Sequence, residues 1–155
     1  MEDYIFLLIT IGIIVVLAGI IAFIILRRVN TKRHGLDIIE GHEFEHFCAE
    51  LLMDRGFIEV EVTPGSGDYG VDVLAEKDGV TYAIQCKAYS TPVGVKAVQE
   101  AYAGRDYYDR MVGVVMTNQY FTRPAVDAAK KLKILLWDRG YLDEMIAEGS
   151  SEYKY

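Results

Sequence analysis

The chain has 155 residues, 52% of them hydrophobic, and a formal net charge of −7. That length allows one ordinary domain, or a smaller one with an appendage. The acidic balance excludes a broad electrostatic footprint for nucleic acid, and two distant cysteines, Cys48 and Cys86, exclude a disulfide framework.

Residues 4–26 carry no charge and are dominated by Ile, Leu, Val and Phe. Such a run suffices to cross the ~30 Å hydrocarbon core. The start is acidic (Glu2, Asp3), and Arg27, Arg28, Lys32 and Arg33 follow the run. The pattern predicts an uncleaved transmembrane helix through the lipid bilayer, with Tyr4 as an interfacial anchor. The positive-inside rule puts the remainder in the cytoplasm, as a single-pass protein of the cell membrane. Gly12 and Gly19 do not form Gly-x-x-x-Gly, which leaves oligomeric state open, a homodimer included. Residues 35–155 hold 12 basic and 21 acidic side chains, a net −9. The expected divisions are an anchor at 1–28, a basic linker at 29–37, a domain at 38–148 and a polar tail at 149–155.

A helix is expected over 39–55, with Phe44, Phe47, Cys48, Leu51 and Leu52 at helical spacing and Gly56 just past its end. Residues 57–63 alternate as a strand. The loop 64–68 lacks the Gly-Lys-Ser/Thr ending of a phosphate-binding P-loop. Two alternating runs then flank Asp78-Gly79, a strong hairpin signal. A helix over 95–108, an apolar strand over 111–117, a helix from the Thr122 cap to about 132, a strand over 133–137 and a helix over 139–148 complete the chain. Three hairpin-like strands followed by two crossover strands predict an α/β fold: a three-layer sandwich with a mixed central sheet.

A two-residue turn at 78–79 pairs positions that sum to 157, so Asp72 faces Gln85 and Lys87 lies diagonal to Asp72. Val71, Val73, Ile84 and Cys86 form the opposite, apolar stripe. A carboxylate, an amide oxygen and an ammonium on one face suit a hard cation such as Mg²⁺ (or Mn²⁺) holding a phosphate. The alternative is a solvated polar face. Separately, His42-Glu43-Phe44-Glu45-His46 matches H-E-x-x-H, the zinc-protease pattern, with a third ligand required from Glu59 or Glu61. A solvated helix face carrying two histidines is the plainer reading.

Phe44-Glu45-x-Phe47, Gly56-Phe57, Ser66-Gly67-Asp68-x-Gly70-Val71-Asp72-Val73, Gln85-Cys86-Lys87, Val98-Gln99-Glu100, Thr117-Asn118 and Phe121-Thr122 occur in this order. The set resembles the Mrr-type restriction endonuclease domain of the PD-(D/E)xK nuclease superfamily, over about 38–145. The resemblance implies a divalent metal and phosphodiester hydrolysis in DNA, here by a membrane-anchored enzyme acting in restriction or defence. It further implies Asp72 as the essential metal ligand and Gln85 in place of the usual second acid. Lys87 would act on the attacking water, Glu45 as the helical acid that binds metal directly or through water, and the Cys86 carbonyl as a further ligand. Gln99 would touch the site, and Ser66, Gly67, Tyr69 and Tyr89 are candidates for DNA contact. The same resemblance admits a catalytically weak or inactive DNA-binding module, because Gln85 lowers the charge of the site.

Overall fold

The computed structural model describes residues 11–24, 36, 39, 41–65 and 69–149. A helix over 11–24 is α1. The domain then runs α2 (Gly41–Asp54), β1 (Ile58–Val62), β2 (Val73–Lys77), β3 (Val80–Lys87), α3 (Val95–Tyr107), β4 (Val112–Thr117), α4 (Arg123–Leu132), β5 (Ile134–Trp137) and α5 (Arg139–Gly149).

The five strands form one sheet in sequence order. β2 runs antiparallel to both β1 and β3, and β3, β4 and β5 are parallel. Helices cover both faces. Phe44, Cys48, Leu51 and Leu52 of α2 join Leu142, Met145 and Ile146 of α5 over Val73, Ile84, Val114 and Met116. Ala97, Val98 and Ala101 of α3 join Ala125 and Ala129 of α4 over Val115 and Ile134. The expected α/β sandwich with a mixed sheet is therefore present, and the parity of each strand decides which helical layer a side chain meets.

The turn fixes the register. Asp78 and Gly79 both have positive φ, +53° and +75°. That is the type I′ geometry whose twist matches the flanking strands. Every pair from Lys77 with Val80 to Val73 with Ile84 then falls in the expected register. β1 is less regular: Glu59 has φ +50°, and the pairing with β2 shifts between Ile58 and Glu61, a bulge. Thr122 caps α4, its Oγ1 accepting from Ala125 N at 3.3 Å. Asp138 caps α5, with Oδ1 accepting from Tyr141 N at 3.1 Å.

The membrane expectation is overturned. Among the described residues no helix is long and apolar enough to cross a membrane. Only 11–24 of the apolar run is described as helical. At ~1.5 Å per residue that stretch is ~21 Å long, short of the ~30 Å hydrocarbon core. The expectation of a single-pass protein of the cell membrane therefore does not stand. Residues 4–10 and 25–26 of that run, the linker apart from residue 36, and the tail beyond residue 149 lie outside the described residues.

Val71 also departs from expectation. It packs with Leu74, Ala83 and Tyr108, on the α3 side, and not with Val73 and Ile84. β2 begins only at Val73, so the alternation of the hairpin does not extend to residue 71.

Candidate active site

Asp72 sits immediately before β2, on a short approach held from both sides. Thr63 N donates to the Asp72 carbonyl at 2.9 Å, and Asp72 N donates to the Ile84 carbonyl at 2.9 Å. Thr63 is buried, and its Oγ1 donates to the Val71 carbonyl at 2.6 Å. The first bond continues the β1–β2 register by one pair, while the second reaches Ile84, already the partner of Val73, so Asp72 and Val73 together face one β3 residue. The Asp72 side chain lines the cavity on the α3 side of the sheet. Its Oδ2 accepts from Cys86 N at 2.6 Å and from Gln85 Nε2. Asp72 is only 8% exposed. A buried charge of this kind is costly unless donors or a cation compensate it.

Gln85 is buried as well. Its Nε2 faces the Asp72 carboxylate and lies 3.5 Å from the Cys86 carbonyl. Its Oε1 is a buried acceptor with no hydrogen-bond donor. An orphaned acceptor beside a carboxylate is what a bound cation would satisfy, so the donor set fits a hard divalent metal. Among the described residues no group of three or more His, Cys, Asp and Glu could hold a metal ion. Asp72, the Gln85 amide and a backbone carbonyl lie outside that donor class except for the aspartate.

Lys87 closes the set. Its Nζ is 2.9 Å from Glu100 Oε2, and Lys96 Nζ is 3.3 Å from Glu100 Oε1. Burial works against the Lys87 ammonium, but the hydrogen bond and charge of Glu100, with the Asp72 charge behind them, outweigh it and raise the pKa above the ordinary lysine value. Burial likewise works against the Glu100 carboxylate, and the bonds and charges of Lys87 and Lys96 pull it below the ordinary value. The lowered acid contributes stability that is lost as pH falls through its folded value. The raised base contributes stability that is lost as pH rises through its own. The pair should therefore stabilise the fold between about pH 5 and pH 10. Urea titrations should show Glu100→Gln less stable than the parent at pH 7, with the deficit gone near pH 3.

The end of β3 is fastened from β4. Thr117 Oγ1 donates to the Lys87 carbonyl at 2.6 Å. Buried Asn118 accepts from Tyr89 N at 2.9 Å and donates to the Leu36 carbonyl at 2.9 Å. One asparagine thus ties the chain before α2 to the strand that carries Gln85 and Lys87.

The result is a cavity of about 480 Å³ lined by Tyr69, Gly70, Asp72, Gln85, Lys87, Lys96, Gln99, Glu100 and Ala103. Five of the expected residues, Tyr69, Asp72, Gln85, Lys87 and Gln99, meet there. Glu45 does not line it: its Oε2 lies 2.6 Å from His42 Nδ1, on the α2 side of the sheet. The Cys86 side chain faces that same layer. A hydrogen bond with Cys48 raises its pKa well above the ordinary thiol value, and burial and the Asp72 and Glu45 charges add to it. Ser66 and Gly67 lie outside the described residues. Tyr89 is exposed and is not among the cavity residues. The zinc-protease pattern gains no third ligand, since no three-residue cluster of His, Cys, Asp or Glu suited to a metal occurs among the described residues.

Sequence reasoning missed Glu100 and Lys96 as site residues. The signal was available: they stand at i and i+4 on a predicted helix, where opposite charges pair, and Glu100 adjoins Gln99.

Comparison with known proteins agrees with this fold. No curated protein matches the chain. A crystal structure described as a protein of unknown function, AF1548, is 30% identical with a TM-score of 0.53, over 63% of this chain and 57% of that one. The DNA modification-dependent restriction endonuclease AspBHI is 16% identical with a TM-score of 0.56, over 83% of this chain and 38% of that one. The first likeness thus spans less than two thirds of its relative, and the second shows a shared fold. Residues 36–146, almost the whole described domain, match the Mrr_cat profile, described as restriction endonuclease. The chain belongs to the Mrr_cat restriction endonuclease family.

Proposed function

We propose that the chain is a divalent-metal-dependent DNA endonuclease. The observation that carries this reading is the convergence of Asp72, Gln85 and Lys87 in one cavity on one face of the β2–β3 hairpin, with the Gln85 Oε1 lacking a donor. Asp72, Gln85 Oε1 and the Cys86 carbonyl would hold Mg²⁺ or Mn²⁺. The bound ion would polarise the scissile phosphate and ease loss of a proton from water. Cys86 N orients the Asp72 carboxylate through its 2.6 Å bond. Lys87 places a positive charge where the phosphorane charge develops and fixes the attacking water. Gln99, across the cavity on α3, supplies an amide to the phosphate or the sugar. Glu45 would have to leave His42 to join this set, and it serves at most through water.

Two features restrain activity. An amide at position 85 gives less metal affinity than a second carboxylate, and Glu100 holds the Lys87 ammonium. DNA phosphate entering beside Lys87 and Lys96 would compete with Glu100 for both cations.

The test is incubation of the chain with Mg²⁺ and supercoiled plasmid, methylated and unmethylated in parallel, because AspBHI is described as DNA modification-dependent. One site cuts one strand, so nicked circles should precede linear product unless two copies act together. Lys87→Ala should lower the rate about 10²-fold, the scale of losing one preorganised charge at a reacting centre. DNA binding without any Mg²⁺- or Mn²⁺-dependent cutting would instead support an inactive DNA-binding module. Cutting that is indifferent to Lys87→Ala would remove the assigned site.

A further inference from the structure

We infer that His42 and His46, at the exposed start of α2, form a second metal site that takes a borderline transition-metal ion such as Zn²⁺ through two imidazole nitrogens. This site is separate from the Asp72 cavity. The two histidines are one helical turn apart, so the backbone fixes them on one face. Their Nε2 atoms lie 3.1 Å apart. With metal–nitrogen bonds of about 2.05 Å, that separation subtends about 98° at a shared ion, between the octahedral and tetrahedral angles.

The ring spacing departs from a head-on contact. Given a ring radius of ~1.15 Å, imidazoles pointing straight at one another across this gap would have centres about 5.4 Å apart, the near-linear arrangement a hydrogen bond prefers. Rings aimed at one common ion would have centres about 4.8 Å apart. The centres are 4.6 Å apart, with the planes inclined by 77°. The rings are therefore not aligned head-on, and an ion shared by the two nitrogens would sit beside the line joining them.

Glu45 completes the arrangement. Its Oε2 lies 2.6 Å from His42 Nδ1. A carboxylate there accepts a hydrogen bond from Nδ1–H, which fixes the tautomer that leaves the His42 Nε2 lone pair free for a metal. Glu43 lies in the first helical turn, where the backbone field repels a cation, and with Glu45 it offsets that field. Two imidazoles select a borderline ion over Mg²⁺. The remaining coordination positions are left to water.

Isothermal titration of the tag-free full chain with Zn²⁺, in excess Mg²⁺, tests this. One equivalent should bind. His42→Ala and His46→Ala should each weaken binding at least tenfold, and Glu45→Gln about tenfold, the usual effect of removing a ligand's orienting partner. Asp72→Asn should leave Zn²⁺ affinity unchanged. Circular dichroism on each variant checks that α2 still folds. Equal Zn²⁺ binding by the parent and a His42→Ala/His46→Ala double variant would overturn the site. So would a fall in affinity with Asp72→Asn, which would put the ion in the cavity instead.

Discussion

Asp72→Asn should abolish cutting, by about 10³-fold or more, while leaving the fold at least as stable as the parent. The two halves have one origin. Among the described residues Asp72 is the one carboxylate side chain in the buried set. The other buried polar side chains, Thr63, Gln85, Thr117 and Asn118, carry no charge. In the metal-free protein a buried anion is an expense to folding that a neutral isostere avoids. The asparagine keeps the shape and can still accept from Cys86 N. It loses the charge that would bind a divalent ion, and with it several kcal/mol of transition-state stabilisation. Steady-state cleavage rates and thermal melts on the same preparations check both halves. A variant that is inactive because it has unfolded would refute the account, as would one that cuts at the parental rate. Excess Mg²⁺ should raise the melting temperature of the parent and not of Asp72→Asn, since a ligand stabilises only the state that binds it.

What the sequence disclosed follows from the range of the interactions involved. Asp78-Gly79 demands two positive φ values, and that local demand sets the whole β2–β3 register. Once the register is set, parity alone puts Asp72, Gln85 and Lys87 on one face. Helix caps at Thr122 and Asp138 are equally local. What lies over that face is not local. α3 buries only Ala97, Val98, Ala101 and Gly104, small residues whose pattern announces no partner. Nothing in the spacing says that Glu100 will reach Lys87, or that Glu45 will turn to His42 and leave the cavity. Val71 fails for the same reason: its alternation is real, but the segment before β2 packs under α3 and obeys that contact. The apolar run at 4–26 shows the opposite failure: its composition suggests a span, and no helix among the described residues is long and apolar enough to make one.

That contact under α3 should make Gly104→Ala damaging. Residues 69–71 cross α3 with almost no space between the backbones. A Cβ on Gly70 would sit 2.9 Å from both the Cβ and the carbonyl oxygen of Glu100, and Gly70 has φ +81°. A Cβ on Gly104, one turn further along α3, would collide with Val71 Cγ2 and lie 2.9 Å from the Tyr69 carbonyl oxygen. Alanine ordinarily stabilises a helix over glycine, by about 1 kcal/mol. Here backbone atoms must move, and overpacking of that kind costs about 3 kcal/mol. The clash therefore wins, and the melting temperature should fall by several degrees. The damage should also reach the site, because the displaced segment leads straight into Asp72 and carries Tyr69 at the cavity wall. Cutting by the folded fraction should drop, with the Mg²⁺ concentration for half-maximal rate rising as the Asp72 carboxylate shifts from Cys86 N and Gln85. Gly104→Ala at parental stability would mean that the 69–71 segment does not lie flush on α3. The close crossing that brings Glu100 to Lys87 would then be wrong as well.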